Sequence, residues 1–224
     1  MKRIFIIAAL SLLAMASGNA QIHITEDMLT KGTLHNGHYY VDLGLSVMWA
    51  TSNVGATSPS GIGEYYSWCE TAPKRTYTRQ NSPNYNYRNA EDVVKGNPKY
   101  DAARKNWGGK WRLPTASEMQ FLKVKCKWEW AVLNGQNGML LTSKKNGNKI
   151  FIPTSAECGD TPRDKLGDHK EFDRGYYWSA TVQGTSDASE ALALSFEVDE
   201  TRPDIRIGME SHWLGLPIRP VIDK

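Results

Sequence analysis

The sequence has few cysteines, few histidines and almost no excess charge, and each shortage argues against a class of function. Its three cysteines include no C-x-x-C pair and its five histidines are scattered, so no zinc motif is present. With 27 basic and 24 acidic residues the net charge is only +3, which argues against bulk electrostatic binding of nucleic acid. No G-x-S-x-G elbow surrounds Ser179 or Ser211. We therefore expect no metal, no cofactor, no nucleic-acid partner and no catalytic activity.

Only one apolar run suggests a membrane-directed segment, and it lies at the N-terminus. Lys2 and Arg3 precede about 13 mostly apolar residues, fewer than the roughly 20 that span a bilayer. Small residues at positions 18 and 20 suit a signal peptidase. The pattern predicts a signal peptide over residues 1–20, no membrane span in the mature chain, and export to the periplasm, the cell surface or the medium.

The mature chain is interpreted as a polar, turn-rich N-terminal leader over residues 21–36 and a single domain over residues 37–224. Hydrophobic residues make up 40% of the chain and charged residues 23%, which is the balance of a protein that buries a core. One globular domain is therefore expected.

Two helices and many short strands are predicted in this domain. Thr115 and Glu118 have capping-box spacing and open a helix whose apolar stripe runs to residue 126. A shorter helix is predicted between Asn97-Pro98, which caps and opens it, and Gly108. Paired strands are predicted at 139–142 with 149–152 and at 176–181 with 191–198. The pattern indicates an α+β fold with mainly antiparallel strands and long loops.

An exported protein meets oxidising conditions, so two of the three cysteines can form a disulfide. The residues alone leave all three pairings open. They also allow Cys126 to be buried in the helix as a small hydrophobe.

Six short phrases together resemble the Fibrobacter succinogenes major paralogous domain family. They are Tyr40-Val41-Asp42-Leu43-Gly44-Leu45, Trp49-Ala50-Thr51-Ser52-Asn53-Val54-Gly55-Ala56, Gly63-Glu64-Tyr65-Tyr66-Ser67-Trp68, Trp111-Arg112-Leu113-Pro114-Thr115, Tyr177-Trp178-Ser179-Ala180-Thr181 and Ile218-Arg219-Pro220-Val221. The match extends from about Tyr39 to Val221. The resemblance implies a C-type-lectin-like fold, related to that of formylglycine-generating enzymes and of binding proteins diversified by retroelements. It also implies an exported or surface protein of a Bacteroidota-type bacterium.

Departures from the family carry further implications. Cys69 and Cys158 both stand at positions where the family is not expected to have cysteine, which implies that they pair with each other. No cysteine follows Cys158, so the thiolate chemistry of the formylglycine-generating enzymes does not carry over. Arg202-Pro203-Asp204 replaces the calcium-lectin turn, and arginine cannot ligate calcium. The acidic stretch 157–173 is interpreted either as a different calcium site or, preferably, as a solvated loop.

Two segments are candidate ligand surfaces. The first lies between residues 77 and 88, where rings alternate with amides and guanidinium groups, and its candidates are Tyr77, Arg79, Tyr85 and Tyr87. The second lies between residues 199 and 213, where the resemblance places the ligand surface, and its candidates are Arg202, Asp204, Arg206, His212 and Trp213. The alternative is that these rings pack on their own domain. Trp49, Trp68, Trp111 and Trp178 are interpreted as structural.

We therefore expect an exported, non-catalytic module that binds a glycan or a cell-surface protein, as an adhesin does. One alternative is a structural or assembly component of a surface complex. A second is an enzyme on a scaffold like that of the formylglycine-generating enzymes.

Overall fold

The described part of the chain folds into three small β-sheets with short helices between them. The computed structural model describes residues 21–84, 91–165, 173–182, 189–198 and 203–224. The strands are β1 (Ile22–Ile24), β2 (Thr33–His35), β3 (His38–Val41), β4 (Val47–Ala50), β5 (Cys126–Leu133), β6 (Gln136–Ser143), β7 (Lys149–Pro153), β8 (Arg174–Val182), β9 (Glu190–Val198), β10 (Pro203–Ser211) and β11 (Val221–Asp223). The helices are α1 (Glu91–Val94), α2 (Ala102–Trp107) and α3 (Ala116–Lys125), with 3-10 turns at Glu26–Met28 and Arg163–Lys165. The predicted α+β class is confirmed.

The strands form sheets with the orders β1-β5-β6-β7, β11-β4-β3-β2 and β10-β9-β8. Their pairings are antiparallel, except that β1 runs parallel to β5. Both predicted strand pairs are confirmed: Met139 lies opposite Ile152 in the first, and Tyr177 lies opposite Leu194 in the second. In the described part of the chain, no helix is long and apolar enough to cross a membrane.

The capping box predicted at the start of α3 is present. The Thr115 hydroxyl accepts from the Glu118 amide at 3.2 Å, and the Thr115 amide donates to the Glu118 carboxylate at 2.8 Å. Met119 and Leu122 form the buried stripe. The helix then passes into β5 without a loop, because Cys126 already has extended backbone angles. Cys126 is therefore buried as predicted, but on a strand.

The shorter predicted helix is α2, and only part of its predicted range is helical. It begins at Ala102 because Asp101 takes the N-cap position and accepts from the Arg104 amide at 3.0 Å. Asn97 is not the cap. The helix ends before Gly108, as predicted, where a φ of 65° suits glycine.

The segment interpreted as a leader belongs to the folded domain. Strand β1 pairs with residues 131–133 of β5, and β2 forms a hairpin with β3. Ile24 is buried against Phe151. The proposed boundary after residue 36 falls inside the β2–β3 turn, so the structure does not separate a leader from the domain.

The sheet of β8, β9 and β10 lies between two parts of the hydrophobic core. Trp68, Trp111 and Trp178 belong to one part and Trp49 to the other. All four indoles are fully buried, which confirms that these tryptophans are structural. The Trp178 indole donates to the Tyr66 carbonyl at 2.7 Å and the Trp68 indole donates to the Ser179 carbonyl at 3.0 Å.

The three cysteines are buried thiols, and the disulfide expected between Cys69 and Cys158 is not observed. Cys69 packs with tryptophans in one cluster, whereas Cys158 packs with Tyr65 and Tyr77 in another. The two cysteines pack in different clusters, so their shared departure from the family pattern did not indicate a disulfide between them. Burial raises the pKa of the Cys126 thiol to about 11 and raises that of Cys69 further.

Candidate functional site

The first predicted ligand segment does not present its leading ring to solvent. Tyr77 is fully buried. Its hydroxyl donates to the Tyr65 carbonyl at 2.6 Å, and accepts from the Lys74 amide at 3.0 Å. Gly215 lies flat against this ring, since a β-carbon built there would be 2.7 Å from it. The prediction that Tyr77 contacts a ligand is therefore wrong, because its ring fills the core.

Of the other three candidates in this segment, the structure describes only Arg79. Arg79 is exposed. Tyr85 and Tyr87 lie outside the described residues, so their roles stay predictions. The described part of this loop is tied down by Asn81, whose amide donates to the Thr76 carbonyl at 2.9 Å.

The second predicted segment is mainly strand β10, not a loop. Asp204 and Arg206 are exposed on it and form an ion pair, with 2.7 Å between Arg206 Nε and Asp204 Oδ2. His212 is fully buried and stacks on Trp68 with 4.3 Å between ring centroids, so its predicted role at a ligand surface is wrong. Trp213 is partly buried, and its carbonyl accepts from the Ser67 hydroxyl at 3.0 Å. Arg202 lies outside the described residues.

The strand register gathers polar side chains on one face of the three-stranded sheet. Arg174, Glu197 and Asp204 form one cross-strand row, and Tyr176, Ser195 and Arg206 form the next. We call these six residues the charged face. Arg174 Nη2 lies 3.9 Å from Glu197 Oε1, so both arginines have a carboxylate neighbour within the face itself. Charges that are already paired make this face a weak capture surface for an ionic ligand.

Three glutamates lie near the same sheet. Burial, together with the negative charges of Glu157 and Glu190, raises the pKa of Glu210 to about 7. Even so, no group of three His, Cys, Asp or Glu side chains suited to a metal ion occurs among the described residues. In the acidic stretch proposed as a calcium site, Asp164 instead pairs with Arg75 at 3.2 Å, while Asp168 and Glu171 lie outside the described residues.

A cleft of about 910 Å³ lies beside Tyr39, next to the segment that was interpreted as a leader. One wall is the strap, which we define as residues 29–32, and residues 56–59 also line the cleft. Tyr39, which is one of the lining residues, is 50% exposed. The volume lies within the range of roughly 300–1,000 Å³ that is usual for small-molecule sites.

The strap is fixed to the neighbouring strands at two points. The Thr30 amide donates to the Lys149 carbonyl at 3.1 Å, and the Lys149 amide donates back to the Thr30 hydroxyl at 2.7 Å. Gly32 touches strand β3 so closely that an added β-carbon would lie 2.8 Å from the Tyr39 β-carbon. Glycine is therefore required for the strap to approach Tyr39, and the wall of the cleft is held in place.

The cleft is lined by hydroxyl groups and by charges of both signs. Its hydroxyl-bearing residues include Thr51, Ser52, Thr57 and Ser58, and its charged residues are Glu26, Asp27, Lys31 and Lys149. Hydroxyls donate and accept, carboxylates accept and ammonium groups donate, so the lining complements a ligand rich in hydroxyl groups.

The sequence reasoning missed this cleft for an identifiable reason. It placed residues 21–36 outside the domain, which removed one wall. A usable signal was the Tyr39-Tyr40 pair, because neighbouring residues on a strand face opposite sides and only one ring can enter the core. Tyr40 packs against the core and Tyr39 faces the solvent.

Comparison with known proteins gives no relative: no family model, no curated protein and no solved structure matches the chain.

Proposed function

We propose that the protein is an exported, non-catalytic binding module with a C-type-lectin-like fold, and that it binds a glycan in the cleft beside Tyr39. The observation that carries this proposal is the half-exposed Tyr39 beside a cleft of about 910 Å³ whose lining residues include several that bear hydroxyl groups. The signal-peptide pattern of residues 1–20 and the six family phrases support export and the fold.

A sugar ring matches this combination of groups. Its C–H face is apolar enough to lie on an aromatic ring, while its rim presents hydroxyls that need donors and acceptors. Ser52, Ser58 and Glu26 are among the lining residues and carry such groups. Because the strap is already tied to Lys149, binding needs little further ordering of the wall, which lowers the entropic cost of association.

The mature chain from Gln21, which contains every described helix and strand, is the form to test on a broad glycan array. We expect a specific signal that survives a calcium chelator and is lost in Tyr39→Ala. Met209→Ala is the matched control, because Met209 is also about half exposed, at 47%, but lies on β10 away from the cleft. An equal loss in both variants, or a signal unchanged by Tyr39→Ala, contradicts the site.

A blank array would instead favour the second candidate function, assembly with protein partners at the cell surface. Strand β10 supports it, because this nine-residue strand is at the edge of its sheet. Edge strands offer backbone groups to a further strand. Under this candidate, light scattering of the mature chain detects self-association, which weakens when Asp204→Lys reverses a charge beside that edge.

A further inference from the structure

A second concave surface lies on the opposite side of helix α3 from the core. Phe121 and Val124 are three residues apart on this helix, so they share one face, and they are 47% and 48% exposed. Together with Leu45 they form the apolar floor of a groove of about 740 Å³. Lys125, Lys144 and Lys145 form its rim, and we call this surface the lysine groove.

The rim lysines are held close to the apolar floor. The Lys144 ammonium donates to the Val124 carbonyl at 2.9 Å, and the Lys144 amide donates to the Lys125 carbonyl at 2.9 Å. The aliphatic part of Lys145 covers Gly44, where an added β-carbon would lie 2.8 Å from Lys145 Cδ. Such contacts reduce the rotamer entropy that a ligand would otherwise have to remove.

Within the described part of the chain, no carboxylate lies in ion-pair contact with the lysines of this rim. The Asp42 carboxylate interacts electrostatically with Lys145 but is not in contact with it. Asp42 accepts from the Gly44 amide at 2.7 Å and pairs with Lys224 at 3.1 Å. Asp42 is therefore already engaged, which leaves the groove with an apolar floor and a cationic rim.

We propose that the lysine groove binds a single-chain anionic amphiphile, with its alkyl tail on Phe121, Val124 and Leu45 and its carboxylate or phosphate head among the lysines. Charge complementarity selects the head group, and the exposed side chains of Phe121 and Val124 select the tail. The size of the site favours a small molecule, because eight residues line the groove whereas a standard protein interface uses roughly 20–30 residues on each side. This site is separate from the cleft beside Tyr39 and does not depend on the proposed glycan function.

The test is isothermal titration calorimetry of the mature chain with decanoate below its micellar concentration. We expect saturable binding at one site. Hexanoate should bind at least about tenfold more weakly, because four fewer methylene groups are removed from water. The uncharged glycerol ester of decanoic acid should bind several-fold more weakly than decanoate, and added salt should narrow that difference.

Variants separate the two halves of the site. Lys125→Gln with Lys144→Gln should weaken decanoate binding by roughly 2- to 5-fold per lysine. Phe121→Ser should weaken it on the order of fivefold, through lost apolar contact. Lys105→Gln with Lys110→Gln matches the charge change elsewhere on the surface, and Met209→Ser matches Phe121→Ser at an equal exposure of 47%. The control variants should bind as the wild type does.

Several outcomes would overturn the proposal. They are no saturable binding of decanoate, equal binding of its uncharged ester, or an equal loss of affinity in the control variants. Binding to anionic vesicles without binding to monomeric decanoate would identify a membrane contact surface instead. Because Tyr39→Ala leaves this groove intact, retained decanoate binding in that variant distinguishes failure of the glycan proposal from failure of this one.

Discussion

A buried ion pair at the start of α3 is expected to contribute heavily to the stability of the domain. The Arg112 side chain is only 4% exposed and binds Glu118 in bidentate fashion, at 2.7 and 3.0 Å. Arg112 also donates to Asp223 in β11 at 2.5 Å. The same Glu118 carboxylate closes the capping box with Thr115. One guanidinium therefore joins the helix to the C-terminal strand.

The exposure of each partner determines the expected cost of removing it. Glu118 is 14% exposed, so Arg112→Met leaves a nearly buried carboxylate without its cation and should cost about 3–5 kcal/mol. For a chain of this size that corresponds to a fall in melting temperature of roughly 6–20 °C. Asp223 is 68% exposed, so Asp223→Asn should cost less than about 1 kcal/mol.

Denaturant unfolding followed by tryptophan fluorescence measures these differences, since the indoles of the core change environment when the chain unfolds. The double variant Arg112→Met with Glu118→Gln should be more stable than the sum of the single losses predicts, by at least about 1 kcal/mol. Arg75→Met is the matched control, because the ion pair between Arg75 and Asp164 is exposed to solvent. The Arg75→Met substitution should lower the free energy of unfolding by less than about 1 kcal/mol. Equal losses for Arg112→Met and Arg75→Met would refute the reasoning.

Two further predictions concern titratable groups. Folded Glu210 keeps its proton up to a pKa of about 7, above its ordinary 4.5, so stability should fall as the pH rises through this interval. Because the side chain is partly exposed, Glu210→Gln should remove only about 1–2 kcal/mol of this fall, measured by unfolding at pH 5 and pH 8. Cys69, Cys126 and Cys158 should resist a thiol reagent in the native protein and react in denaturant without reductant. If only one thiol per denatured chain reacted, the other two cysteines would be joined in a disulfide and the prediction would be wrong.

Features set by neighbouring residues could be predicted from the sequence. The capping box depends on Thr115 and Glu118, which are three residues apart, and the β6–β7 hairpin depends on two apolar runs around one turn. In both cases the interacting residues are close in the chain, so the local sequence pattern is enough to predict the structure.

Features that depend on distant partners were missed or misassigned. The segment 21–36 resembled a leader because the apolar surface that accepts Ile24 is provided by β5 and Phe151, far along the chain. Tyr77 resembled a surface ring because the local sequence does not reveal Gly215, against which it packs. The same limit applies to the candidate cleft, whose walls come from separate segments.

The pairing of β4 with β11 also has a consequence for the order of folding. Residues 47–49 pair with residues 221–223, so the second sheet joins two segments that are far apart in the sequence. The Arg112 amide donates to the Val221 carbonyl at 3.0 Å, which adds a middle segment to the same junction. A chain synthesised from its N-terminus cannot complete this sheet until residues 221–223 have emerged. Until then β4 lacks one of its two partner strands, so this sheet is completed later than the sheet of β1, β5, β6 and β7.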